Sequence, residues 1–225
     1  MASPVVDPPF FGVLVRRAKY ACLANGGNYA YAYFRAHHQH EIAEDCLLRC
    51  VYCDCHENEA GGRESMELDH FRPWSRPGFE HLKDEPRNLH HACGRCNRLK
   101  SNKWPSTDAV ASHDGTVGFI DPFHEPRHIY FEVAPDGELI ALRLPATYLI
   151  RLLALNRPLL KLLRRRRIYE AELNRYEAAN LARWEAAAAG QSDASAQEIA
   201  REFAEYRRLR QLSTLPMTKS ARPPS

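Results

Sequence analysis

The chain has 225 residues, 44% of them hydrophobic and 26% charged, with a formal net charge of +3 at pH 7. That length suits one globular domain or a small module with helical additions, and the charge is too mild to announce a nucleic-acid binder through bulk electrostatics. No segment reaches the roughly 18 apolar residues of a membrane span, and prolines stand where a signal peptide needs charge, so no membrane partner is expected.

Residues 1–49 form the first region. Residues 1–9 are proline-rich and expected to be loose, and Asn25-Gly26-Gly27-Asn28 is a turn signal. Tyr29 to Leu48 has the spacing of one helix or two short ones, with His37, His38 and His40 on a solvated face. Residues 50–125 carry the chemistry. Met66 to Phe71 alternates like a short strand, and Pro73 and Pro77 forbid a long continuation. A helix is expected from about Cys93 to Lys103, closed by Trp104-Pro105, with Asn97 in its first turn. Thr116 to Ile120 reads as a strand. In residues 126–145, His128–Val133 and Glu138–Arg143 flank Ala134-Pro135-Asp136-Gly137, a hairpin signal. Residues 146–212 are helical, broken at Asn156-Arg157-Pro158 and at Gly190, with cap candidates in Ser192 to Ser195. Residues 213–225 read as a disordered tail.

Seven cysteines is an odd number, and four sit in the Cys-x-x-Cys pairs Cys50/Cys53 and Cys93/Cys96. A reduced, cytoplasmic, metal-holding protein fits this better than a disulfide scaffold. Four thiolates suit a closed, structural Zn2+ site that cannot activate water. Cys55 and His56 are second-choice ligands beside the first pair. The 39 residues between Cys53 and Cys93 exceed the roughly 15–20 of a plain zinc ribbon. The insert carries Asp69-His70 and Asn88, and Asn97 follows the second pair. Carboxylate and amide oxygens suit Mg2+ or Mn2+ rather than zinc. In a regular strand Asp69 and His70 point to opposite faces, so the strand must end or bulge there if both serve one site. Asp69-His70 taken alone also reads as a hydrogen-bonding turn pair.

The pattern Cys-x-x-Cys, Asp-His, Asn-Leu, Cys-x-x-Cys-Asn-x-x-Lys across residues 50–103 resembles the HNH endonuclease family. The resemblance implies an α+β protein: a zinc-stabilised ββα-metal core, to which the small β-hairpin and the largely helical C-terminal region are added. It implies that His70 is the general base, that Asp69 and Asn97 hold the catalytic Mg2+ or Mn2+, and that Asn88 fastens the ββ loop and helps orient His70. Arg95, Arg98, Lys100 and Lys103 would hold the backbone of DNA, with a solvated face as the alternative. One of His90 and His91 is expected to pack in the site, with its role open. Activity should fall as pH drops through roughly 6.5, where imidazole protonates. Phe71-Arg72-Pro73, Lys100 to Pro105, Asp121-Pro122, the hairpin and Leu155-Asn156-Arg157 further resemble HNH proteins of bacterial anti-phage systems, which implies an ATPase partner protein. The run Arg164 to Arg167 faces DNA or a partner, or is solvated and paired with Glu170 and Glu172. A zinc-held module without chemistry and a ribonuclease toxin are the competing functions.

Overall fold

The computed structural model describes residues 10–20, 30–105 and 111–214; the proline-rich start, the Asn25–Asn28 turn and the tail from residue 215 lie outside them. The protein is α+β, and its described chain falls into two compact units, 10–133 with 139–160 and 134–138 with 161–214. No helix among the described residues is long and apolar enough to cross a membrane.

In the larger unit the expected N-terminal helix is two short ones, α1 (Tyr31–His37) and α2 (Gln39–Asp45). They bury Phe34, Ile42 and Ala43, while His37 and His40 stay exposed. The first cysteine pair follows in a tight loop closed by Cys50 N–H to the Cys55 carbonyl at 2.9 Å. Next comes α3 (Glu57–Ala60), whose N-terminus His56 caps in a box with Glu59. Strand β1 (Met66–His70) pairs antiparallel with β2 (Leu89–Cys93), with Asp69 opposite His90 and His70 opposite Leu89. Every residue of β2 is buried, so it lacks the alternation that marks a half-buried strand.

Helix α4 (Gly94–Lys100) starts on the next residue, with Cys93 as its N-cap. It stops three residues before the expected Lys103, because Ser101 takes a left-handed φ of +50° that a helix cannot continue through. Thr116 to Ile120 is not a strand. Asp114 Oδ1 accepts from Thr116 and Val117 N–H at 2.8 Å each, which curls the segment into a turn, and among the described residues its only ladder contact is the single bridge His113–Gly118. The later hairpin forms as β3 (Phe131–Val133) and β4 (Leu139–Ala141). Asn156 extends it as a side-chain mimic of a strand: its amide accepts from Leu139 N–H at 2.7 Å and donates to the Leu139 carbonyl at 2.9 Å. Helix α5 (Leu144–Leu152) completes the unit. The core under β1 is aromatic, with Phe71 edge-on to Trp104 at 5.3 Å and Trp104 stacked on Phe119 at 5.9 Å.

In the second unit the turn at 134–138 meets the start of the long helix α6 (Pro158–Ala188). Gly137 has φ +84°, and a Cβ there would lie 2.0 Å from the Lys161 carbonyl oxygen, so only glycine fits. The arginine run splits by helix face. Arg164 is buried, donating to the Gly137 carbonyl at 2.7 Å, and Arg167 is buried too. Arg166 is exposed and paired with Glu170 at 2.7 Å. The run is therefore not one open basic face. Helix α7 (Ala196–Ser213) begins in a capping box of Ser195 and Glu198. It packs on α6 through Trp184, which stacks on Phe203 at 4.7 Å and donates to Glu202 at 2.9 Å.

Candidate functional site

The four sulfurs of Cys50, Cys53, Cys93 and Cys96 lie within 4.8 Å of one another and all four residues are buried. The first pair is held against β2 by Val51 N–H on the His91 carbonyl at 3.0 Å; the second pair straddles the start of α4. Burial pushes the Cys50 thiol well up, while hydrogen bonds from Cys50, Cys53 and Cys96 hold Cys93 far down. Four buried thiols this close together cannot all ionise without a divalent cation among them. This donor set and spacing fit structural zinc. Arg157 adds a guanidinium 3.9 Å from Cys93 Sγ and 4.0 Å from Cys96 Sγ, offsetting the surplus negative charge of such a cluster. Cys55 and His56 stay outside the group: Cys55 donates to the His56 carbonyl, and His56 caps α3.

Asp69, His70, Asn97 and Arg98 line one open cleft of about 360 Å³, together with Tyr31, Trp74 and Asn102. β1 ends at His70, which lets two successive side chains reach the same opening. His70 is half-buried between Tyr31, 4.7 Å between ring centres, and Trp74. Its Nε2 lies 2.8 Å from the Lys83 carbonyl. A carbonyl only accepts, so Nε2 carries the proton and Nδ1 keeps the basic lone pair. Burial holds this imidazole below its ordinary value of 6.5, with the Lys83 carbonyl opposing.

Asn88 straps the loop between the strands. Its amide accepts from Arg72 N–H at 2.9 Å and donates to the Arg72 carbonyl at 2.9 Å and to the Leu82 carbonyl at 3.2 Å. Leu82 is next to Lys83, so the strap also fixes the carbonyl that orients His70.

Asp69 is 3% exposed. Oδ1 accepts from Lys100 Nζ at 2.9 Å and Oδ2 from the Tyr52 hydroxyl; burial pushes its carboxyl up, and Lys100 opposes that. Asn97 donates through Nδ2 to Glu67. A carboxylate only accepts, so this bond fixes which end of the amide faces Glu67 and leaves Oδ1 as the free oxygen. Gly94 leaves room for the arrangement: a Cβ there would come within 3.0 Å of Glu67 Oε1. Asp69 and Asn97 both line the cleft and carry oxygen donors of the kind that a hard divalent cation takes.

The four basic residues divide. Arg95, Arg98 and Lys103 are exposed, whereas Lys100 is fully buried on Asp69 and on the His70 carbonyl. Lys100 cannot hold a nucleic-acid backbone from there, because helix positions 97 and 100 share the face turned to β1. His90 and His91 are buried as well, His90 stacked on Phe71 at 4.6 Å. Sequence reasoning missed Tyr31, Tyr52 and Glu67. The strand period could have found Glu67, which shares a face of β1 with Asp69. Nothing local marks the two tyrosines.

Two antiparallel strands, a helix and a sulfur cluster binding their ends define a zinc-type ββα module. Residues 50–103 match the family model of the HNH endonuclease, so the chain carries an HNH endonuclease domain over that stretch. No curated protein and no solved structure matches the chain.

Proposed function

We propose that the protein is a metal-dependent endonuclease that hydrolyses phosphodiester bonds in DNA at the cleft between β1 and α4. His70 accepts a proton from the attacking water at Nδ1, while its Nε2–H stays on the Lys83 carbonyl and holds the ring. Asp69 and Asn97 hold a divalent cation, Mg2+ or Mn2+, whose charge offsets the negative charge developing on the phosphate and the leaving oxygen. Asn88 keeps the loop and the Lys83 carbonyl in register. Arg98 in the cleft, and Arg95 and Lys103 beside it, hold the phosphate backbone, a contact that weakens as salt rises. Cys50, Cys53, Cys93 and Cys96 hold zinc and take no part in the reaction.

The observation that carries this reading is the shared cleft of His70, Asp69 and Asn97, with the imidazole tautomer fixed by a carbonyl. Incubation of the zinc-loaded chain with supercoiled plasmid and Mn2+ tests it, beside His70→Ala and a matched RNA. Nicking by the wild type and a loss of roughly a hundredfold or more in the variant are expected. Equal nicking by both removes His70 from the chemistry. Cleavage of RNA alone gives the ribonuclease reading, and binding without cleavage gives the zinc-held binding module. We place the activity in anti-phage defence beside an ATPase partner on the resemblance of Phe71-Arg72-Pro73, Lys100 to Pro105, Asp121-Pro122, the hairpin and Leu155-Asn156-Arg157 alone. An ATPase encoded next to this chain and co-purifying with it is the expected result; no such neighbour removes the defence role without touching the nuclease.

A further inference from the structure

A carboxylate taken out of water is costly unless its oxygens are paired. Asp69 is paired at both oxygens, and the two donors come from different halves of the sulfur module. Tyr52 stands between Cys50 and Cys53 and reaches Oδ2 with its hydroxyl. Lys100 stands on α4, four residues past Cys96, and reaches Oδ1 at 2.9 Å while also holding the His70 carbonyl at 2.7 Å. Both side chains are buried, and neither lines the cleft.

Each carboxylate oxygen has two lone pairs, and each donor takes one, so a lone pair remains on both oxygens. A carboxylate gripped at both ends cannot rotate about its last bond. A cation arriving in the cleft then meets an oxygen already aimed, and no ordering of that side chain is left to oppose binding. A buried ion pair is weak evidence for stability in itself, which leaves orientation as what Tyr52 and Lys100 supply.

We propose that Tyr52 and Lys100 are positioning residues that aim Asp69 at the divalent cation of the cleft, so that the thiolate cluster, acting through the first knuckle and α4, sets the affinity for the second ion. This rests on the reading of Asp69 as a cation ligand. Tyr52→Phe isolates the effect, since it keeps the ring that stands edge-on to Phe119 at 6.3 Å and removes only the hydroxyl.

The test is Mn2+ binding to the zinc-loaded full chain by calorimetry, with zinc content and near-ultraviolet circular dichroism as controls, in the wild type, Tyr52→Phe, Lys100→Met and Asp69→Asn. Tyr52→Phe is expected to keep its zinc and its spectrum and to bind Mn2+ about tenfold more weakly. Its nicking should recover as Mn2+ is raised, because kcat is untouched. Wild-type Mn2+ affinity in Tyr52→Phe, with Asp69→Asn weakened, overturns the positioning role and leaves Asp69 as a ligand. Wild-type affinity in Asp69→Asn brings down both. If Tyr52→Phe does not hold zinc, Lys100→Met decides: weakened Mn2+ binding supports the proposal and unchanged binding overturns it.

Discussion

The HNH stretch and the helical pair are stabilised in opposite ways. Residues 50–103 contain elements of three to seven residues joined by loops, and their interior holds the four clustered sulfurs together with Asp69, Asn88, His90, His91 and Lys100. An interior this polar folds only when every charge has its partner, and the partners are far apart in sequence. Helices α6 and α7 are long and regular, with Trp184 and Phe203 between them and, apart from the buried Arg164 and Arg167, most of their charges open to solvent. Single changes should be severe in the first region and graded in the second.

The largest effect is expected at the sulfur cluster. Cys93→Ser should lose zinc and the folded ββα module together, seen as absent metal by mass spectrometry and collapse of the near-ultraviolet signal. A folded, zinc-loaded Cys93→Ser would show that three sulfurs suffice.

The next concerns pH. On the proposed role of His70 as the neutral base, burial lowers its affinity for a proton in the fold, so the acid limb of kcat/KM should lie below about 6.5, the ordinary imidazole value. The same shift has a stability consequence. Between the folded and the unfolded value the unfolded chain binds the proton more readily, so this contribution to stability is present above about 6.5 and is lost as pH falls. A limb above 6.5 would mean that a nearby carboxylate, not burial, dominates.

In the helical pair the effects shrink. Ser195→Ala removes the cap of α7 and should cost about 1 kcal/mol, read from the urea midpoint. Arg166→Ala breaks only an exposed pair with Glu170 and should change stability by less than about 0.5 kcal/mol. A large loss from Arg166→Ala would mean that this pair contributes more than an exposed ion pair can.

The same contrast explains how far the sequence could be read. The Cys-x-x-Cys pairs, Asp69-His70, the hairpin turn and the breaks at Pro158 and Gly190 are local signals, written within a few residues of where they act. Strand β2 escaped because both its faces are buried and its residues do not alternate. In the sequence Lys100 belongs with the exposed basic residues, because charge normally means exposure. Its true partner, Asp69, is 31 residues away, and only the helix face it shares with Asn97 hints at it. Tyr31 enters the site from outside any motif, and Tyr52 occupies a variable position of the first Cys-x-x-Cys pair, whose spacing does not record what fills it.

The central claim is that two ions do separate work, one gripped by sulfur for the fold and one by oxygen for the reaction. Asn97→Ala tests this most directly, by plasmid nicking in Mn2+ at matched zinc content. Full zinc, a native spectrum and nicking reduced roughly a hundredfold are the expected result. Wild-type nicking by a folded Asn97→Ala would contradict the account.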